Sequence, residues 1–220
     1  MAMQGIRFTD GASYERMMGT WSRLVGEVFL AWLEPQPRQR WIDVGCGNGA
    51  FTELLVERCA PIEVQGIDAS EEQLAFARTR PAARLARFQQ GNAMALSFPE
   101  ERVDVAVMAL MIFYAPEPAR AVAELCRVVR RGGTVATYIW DTEGGGSPTF
   151  PVVAEMRSAG LPHPIPPSLA ASRMDVLLDL WTGAGLQAIK AREIVVYAAI
   201  QTGRETRLHA DSKLFGVMGR

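Results

Sequence analysis

From Trp41 to Trp140, short apolar or β-branched runs alternate with amphipathic stretches, the pattern expected of β-α-β units laid on a parallel sheet. The runs predict strands at Trp41 to Gly45, Glu63 to Asp68, Ala86 to Gly91, Val103 to Leu110 and Gly133 to Trp140. Helices fill the gaps. One begins near Gly49 and carries Phe51, Leu54, Leu55 and Cys59 at helical spacing, with Glu53, Glu57 and Arg58 turned outward. Another opens at Ser70, an N-cap residue with Gln73 in the capping-box position. A third runs from about Pro116 to Val129 and stops before Gly132-Gly133, with Arg127, Arg130 and Arg131 near its negative dipole end.

The flanks read differently. SYERMMGTWSRLVGEVFLAWLEP is amphipathic, closes at Pro35 and predicts one or two helices lying over the sheet. Between Asp141 and Ser172 the composition turns glycine-rich and then proline-rich (TEGGGSPTF, LPHPIPPS), which predicts a flexible cover with a short helix around Val152 to Ala159. A helix from about Ser172 to Gly183 then precedes a strand at Ala188 to Ile200, a polar turn QTGRETR, and a last strand at Lys213 to Met218 that pairs with it as an antiparallel hairpin. The organisation expected is one domain over 1–220: a helical cap (1–38), a ligand-binding core (40–141), and a variable cover with the final helix and strand pair (142–220).

With 220 residues, 49% of them apolar, the chain can bury one sizeable core. A formal charge of −1 carries no polyanion footprint, so nucleic acid is not expected as a partner. The three cysteines, Cys46, Cys59 and Cys126, are odd in number and lack metal-ligand spacing, which suits a reducing compartment and points to the cytoplasm. No apolar run reaches roughly 18 residues and the N-terminus lacks a signal-peptide pattern, so neither membrane insertion nor secretion is expected.

The chemistry concentrates in WIDVGCGNGAF, Trp41 to Phe51. A strand feeding a glycine-rich turn into a helix N-terminus presents free backbone N–H groups to a ligand. A dinucleotide fingerprint would space its glycines G-x-G-x-x-G, whereas Gly45-Cys46-Gly47-Asn48-Gly49 is G-x-G-x-G with Asp43 two residues ahead. A carboxylate there argues against a phosphate. It suits a cationic ligand, or a turn whose amides it accepts.

This stretch resembles the first motif, D/E-x-G-x-G-x-G, of the class I S-adenosylmethionine-dependent methyltransferases, and the resemblance continues. GIDAS places Asp68, followed by Ala69, at the second strand tip, where the family holds the ribose hydroxyls. A carboxylate can accept both protons of a vicinal diol. QGNAMALSFPEERVDVAVMALMIFY is similar to the family's adenine-binding segment, with Asn92 and Ala93 at the third tip, as in the subgroup resembling ubiquinone/menaquinone C-methyltransferases. ELCRVVRRGGTVATYIW resembles the helix, double-glycine turn and fifth strand. The matches cover about residues 40 to 140. The resemblance implies an α/β doubly wound, mostly parallel seven-stranded sheet in Rossmann-like methyltransferase order, its last strand antiparallel, with helices on both faces. It implies S-adenosyl-L-methionine as cofactor, held by Asp43, Gly45, Cys46, Gly47, Asp68, Ala69, Asn92, Ala93, Ala109 and Leu110. Tyr14, with Arg16 or Arg23, closes over it. The transferred methyl lies near Ala109, Leu110 and Met111, with Phe113 and Tyr114 just beyond.

Taken singly, each residue has a plainer reading: a tight β-α turn, a carboxylate beside a helix cap, an amide closing a loop, core packing for Met111 and Phe113. What favours a ligand is their succession at strand tips, where open α/β sheets bind. The implied reaction is in-line methyl transfer to a small-molecule acceptor. No base stands out, since His163 and His209 both fit surface positions, and Cys46 fits as a small residue. The N/D/S-P-P-Y/F/W motif of base-methylating enzymes is absent, and with only Asp141 near the later strand tips no metal is expected. The stretch between the last two strands is short, which predicts a reduced substrate lid. The alternative is a catalytically inactive protein that binds S-adenosylmethionine or S-adenosylhomocysteine as a sensor or partner, and the glycine spacing disfavours a nicotinamide oxidoreductase. A homodimer stays open.

Overall fold

A computed structural model describes residues 11–163, 165–201 and 207–219. Seven strands form one sheet in the order β3-β2-β1-β4-β5-β7-β6. They are β1 (Arg40–Val44), β2 (Glu63–Asp68), β3 (Ala86–Gln90), β4 (Val103–Ala109), β5 (Val129–Trp140), β6 (Lys190–Gln201) and β7 (Arg207–Gly219). The first five are mutually parallel, and β7 runs antiparallel to both β5 and β6. The helices are α1 (Gly11–Leu33), α2 (Ala50–Cys59), α3 (Glu71–Ala77), α4 (Pro118–Val128), α5 (Phe150–Ser158) and α6 (Met174–Gly183).

Strand alternation sorts the core into two. Trp41, Val105, Val107, Ala136, Tyr138 and Trp140 face the cluster built with α1 and α2, among Val25, Phe29, Leu54 and Leu55. Ile42, Val44, Ala106, Met108, Val135 and Ile139 face the other, with Val122, Leu125, Leu177 and Trp181 of α4 and α6. Successive residues of a strand point to opposite faces, so strands covered on both sides read as continuous apolar runs. Asp43 sits in such a run and is buried with it. Chain order reverses between β1 and β4, which opens a crevice at the carboxyl ends of these strands.

Boundaries moved where pattern was ambiguous. Strand β5 begins at Val129 rather than Gly133, directly after α4, so the double glycine lies inside the strand and does not cap the helix. A Cβ on Gly133 would stand 2.6 Å from the carbonyl oxygen of Asp104, so glycine lets the two strands close up. The arginines there pair individually: Arg127 with Glu124, Arg130 with Asp104, Arg131 with Glu101. Helix α6 starts at Met174, behind a 3₁₀ turn at Leu169–Ser172. The larger difference is β7, which starts at Arg207 rather than Lys213. Its pairing with β6 runs from Met218 out to Arg207, while its pairing with β5 stops at Leu214 opposite Trp140. The segment read as a shortened lid is therefore partly strand, a two-stranded ribbon reaching past the carboxyl end of β5. Such a ribbon is not sandwiched in the sheet, so polar residues do not disqualify it.

Truncating Leu125, fully buried against α6, to alanine should lower unfolding free energy by about 2–5 kcal/mol. The same change at Leu85, 61% exposed, should stay within about 0.5 kcal/mol. Urea denaturation of both variants checks the placement of the core.

Candidate active site

One cavity of about 1320 Å³ occupies the crevice, lined by the turns after β1, β2, β3 and β4 and by α1 through Ser22. That exceeds the roughly 300–1,000 Å³ common for single-ligand pockets, leaving room for two molecules side by side. Gly45, Cys46, Gly47, Asp68, Ala69, Asn92, Ala93, Ala109 and Leu110 all line it. Asp43 does not.

The glycine turn has two different reasons to be bare. At Gly45 (φ 76°) a Cβ would lie 2.0 Å from Cγ of Met111, so that glycine makes room for a side chain of the protein. At Gly47 (φ 52°) a Cβ would meet nothing within 4 Å, and the space above it is cavity. Gly47 donates its N–H to Asp68 Oδ2 at 2.8 Å, and Ser70 donates its N–H to Asp68 Oδ1 at 2.9 Å. Ser70 Oγ in turn accepts from the Gln73 amide, capping α3. The carboxylate organising the turn is thus Asp68, from the neighbouring strand, and not Asp43. Burial pushes the Asp68 carboxyl above its ordinary range, opposed by the N–H groups of Ser70, Gly47 and Ala69.

Asp43 lies beneath the floor. One oxygen accepts from Thr52 Oγ1 at 2.7 Å, and the other has no hydrogen-bond partner among the described residues. Burial pushes its carboxyl up to about 7; the Thr52 bond opposes the rise and the charge of Asp68 adds to it. Direct ligand contact, implied by the resemblance, is not what this placement provides. Burial also drives the Cys46 thiol well above its ordinary value, so it stays protonated and serves as packing.

Asn92 follows β3 by two residues. It lines the cavity, and its Oδ1 accepts from the Met94 amide at 2.9 Å, closing the turn after β3. At the end of β4, Leu110 holds a left-handed backbone (φ 57°) rare for a branched residue, fastened by its N–H to the Tyr138 carbonyl at 2.9 Å. Met111 and Tyr114 line the cavity beyond it, whereas Phe113 is buried in the core with its ring 4.3 Å from that of Tyr114. Pro162, His163, Ile165 and Pro167 form the outer wall. The His163 ring accepts from Arg157 Nε at 3.1 Å. Asp141 turns into its own loop and accepts from the Gly144 amide.

At the N-terminal cap, Arg23 reaches Glu57 and Glu27 rather than the cavity. The side chains of Tyr14, Arg16 and His209 lie outside the described residues. Sequence reasoning missed Arg80. Its guanidinium, 11% exposed, donates to the Asn48 carbonyl at 2.6 Å, to Glu53 at 2.7 Å and to Glu15. Glu53 was expected to point outward and instead is 15% exposed under Arg80. Nothing in FARTRPA distinguishes Arg80 from Arg78, which is exposed and pairs with Glu71.

Residues 42–137 match the model of a family described as methyltransferase domain. The chain is 33% identical over 135 residues to malonyl-[acyl-carrier protein] O-methyltransferase of Methylococcus capsulatus, covering 60% of this chain and 49% of that protein. It is 35% identical over 129 residues to demethylmenaquinone methyltransferase of Symbiobacterium thermophilum, covering 56% and 51%. The chain thus spans about half the length of these relatives. An S-adenosylmethionine-dependent methyltransferase structure from Thermotoga maritima shares the fold at TM-score 0.62 and 21% identity, over 94% of this chain and 93% of that one. Residues 42–137 thus resemble a methyltransferase domain, and the whole described fold is that of a solved methyltransferase structure.

The buried Asp43 sets a pH dependence. Its folded value of about 7 lies above the ordinary 3.8, so between those limits the folded state keeps a proton that the unfolded chain has released. Stability contributed by this group therefore falls as pH rises from about 4 to 7. The stability of Asp43→Asn relative to the unaltered protein should rise across that window, measured by denaturation at pH 4 to 8 without ligand. A constant difference would contradict the burial of Asp43.

Proposed function

We propose that the protein transfers a methyl group from S-adenosylmethionine to a small, uncharged, largely apolar acceptor. The observation that carries this is the convergence of Gly47, Asp68 and Asn92 on one cavity, with open space over Gly47 and room left beyond Leu110. In this reading the main chain of Gly45 and Gly47 meets the amino-acid tail, and Cys46 packs beside it. Asp68, with Ala69, takes the ribose: its oxygens accept the N–H groups of Gly47 and Ser70 and have further acceptor capacity for hydroxyls. Asn92 and Ala93 meet the adenine, Tyr14 closes from α1, and Ala109 and Leu110 flank the methyl. Asp43 lies below the cavity floor, bonded to Thr52 of α2.

When bound, the cofactor supplies an electrophilic methyl. Gly45, Gly47, Asp68 and Asn92 would hold it, and the chemistry it would supply is methyl transfer to a lone pair or carbanion of the acceptor, with S-adenosylhomocysteine as the leaving group. The chain's own contribution is to align the partners and exclude water. Phe51, Met111, Tyr114, Tyr138, Pro162 and Ile165 wall the acceptor end, and among the described lining residues there is no lysine or arginine. That favours neutral acceptors over carboxylates or phosphates. The relative named for demethylmenaquinone supports the same choice. The single domain divides into cap, core and cover at 1–38, 40–141 and 142–220. Its cysteines are free thiols, which supports a cytoplasmic setting, and no helix among the described residues is long and apolar enough to cross a membrane.

Followed by release of S-adenosylhomocysteine, kcat/KM should be at least about tenfold higher with neutral aromatic acceptors than with their carboxylated analogues. Tight cofactor binding with no turnover across both panels would return the protein to the sensor reading. Asp68→Ala should weaken binding of S-adenosylhomocysteine by about 1–3 kcal/mol. Gly47→Val should weaken it further, because its side chain enters the open space. Calorimetry measures both, and unchanged affinity in either would remove that residue from the site.

A further inference from the structure

Helix α1 is anchored by apolar residues from Met18 onward, with Trp21, Val25, Phe29, Leu30 and Leu33 all buried. Ahead of Met18, the described attachment is Glu15. Its Oε2 accepts from Asn48 Nδ2 at 2.8 Å and from Arg80 Nη2, so one carboxylate oxygen ties the front of the cap to the glycine turn. The same guanidinium holds the Asn48 carbonyl and, through Glu53, the first turn of α2. Asn48 itself lines the cavity, as does Ser22 further along α1.

We propose that Arg80 is a positioning residue that clamps the N-terminal cap onto the glycine turn, and that this ion pair sets how long the cofactor product stays bound. The inference rests on the cofactor-binding reading above. All three nitrogens of the guanidinium are committed, to a main-chain carbonyl of the glycine turn, a carboxylate of α2 and a second carboxylate on α1. A lysine could satisfy only part of that set. Glu15 is the exposed arm, with 39% of its side chain open to solvent, while Glu53 is the covered one. Salt therefore loosens the Glu15 arm preferentially. Opening it frees the front of α1 without disturbing the apolar anchor, giving the product an exit while the sheet and the second half of the helix stay in place.

Glu15→Ala isolates this arm, and the exposure of Glu15 keeps the melting temperature nearly unchanged. In the full-length protein, stopped-flow measurement of S-adenosylhomocysteine dissociation should show a rate roughly three- to tenfold higher in Glu15→Ala. Raising salt should speed dissociation in the unaltered protein and have little effect in the variant. Arg80→Gln should exceed Glu15→Ala, and Arg80→Lys should recover part of the difference. Hydrogen exchange without ligand should rise in residues 11–17 and 45–49 in both Glu15→Ala and Arg80→Gln. Equal dissociation rates with equal salt dependence in Glu15→Ala and the unaltered protein, or unchanged exchange in those segments, would overturn the clamp. Failure of the unaltered protein to bind S-adenosylhomocysteine would remove the functional reading instead, and the exchange measurement would still judge the clamp.

Discussion

The bonds from the amides of Gly47 and Ser70 to the two oxygens of Asp68 hold the turn after β1 against the tip of β2. Both are charge-assisted, and both lie in a partly covered crevice where such bonds are stronger than in water. The turn, with positive φ at Gly45 and Gly47, is also closed by the Gly49 N–H on the Cys46 carbonyl and tied to β2 by the Gly45 and Cys46 N–H groups on the Ile67 carbonyl. The neighbouring carboxylate adds to that hold and itself lines the cavity. The cavity wall and the loop geometry are therefore coupled through one side chain.

The sheet makes this coupling available. Parallel pairing of β1 with β2 on one side and β4 on the other brings their carboxyl ends level, with Asp43 opposite Gly66 and Val107. Because chain order reverses between β1 and β4, the connections that follow them leave toward opposite faces and a gap remains between. Burial on both faces makes the floor of that gap rigid. It also imposes a cost on Asp43, which remains as a buried carboxyl held by Thr52.

The far side of the gap is shaped by packing and by backbone strain. Met111 fills the space that Gly45 leaves, and Leu110 is held in an unfavourable conformation by the Tyr138 carbonyl. Strain of this kind persists where neighbours over-determine it. It lies between the glycine-turn side of the cavity and the side walled by Met111 and Tyr114. The outer wall is less tightly held: α5 buries none of its residues, Val152 is 63% exposed, and Ile165, which lines the cavity, is 51% exposed.

The linear chain by itself determined the strand and helix alternation, the parallel class of the sheet, the glycine turn, and the carboxylate and amide at the next two strand tips. These are local properties: side-chain periodicity and turn chemistry act over a few residues and leave a trace at fixed spacing. Tertiary structure decided which carboxylate serves the turn, since Asp43 and Asp68 each stand at a strand end and only the β1–β2 register brings Asp68 to Gly47. It also decided that Arg80 rather than Arg78 turns inward, and that Glu53 meets it there. The ribbon at Arg207 is of the same kind, because strand pairing between distant segments can recruit polar residues that no local pattern assigns to a strand. Contacts across tens of residues depend on how elements dock, and docking energy is summed over whole faces rather than encoded at any one position.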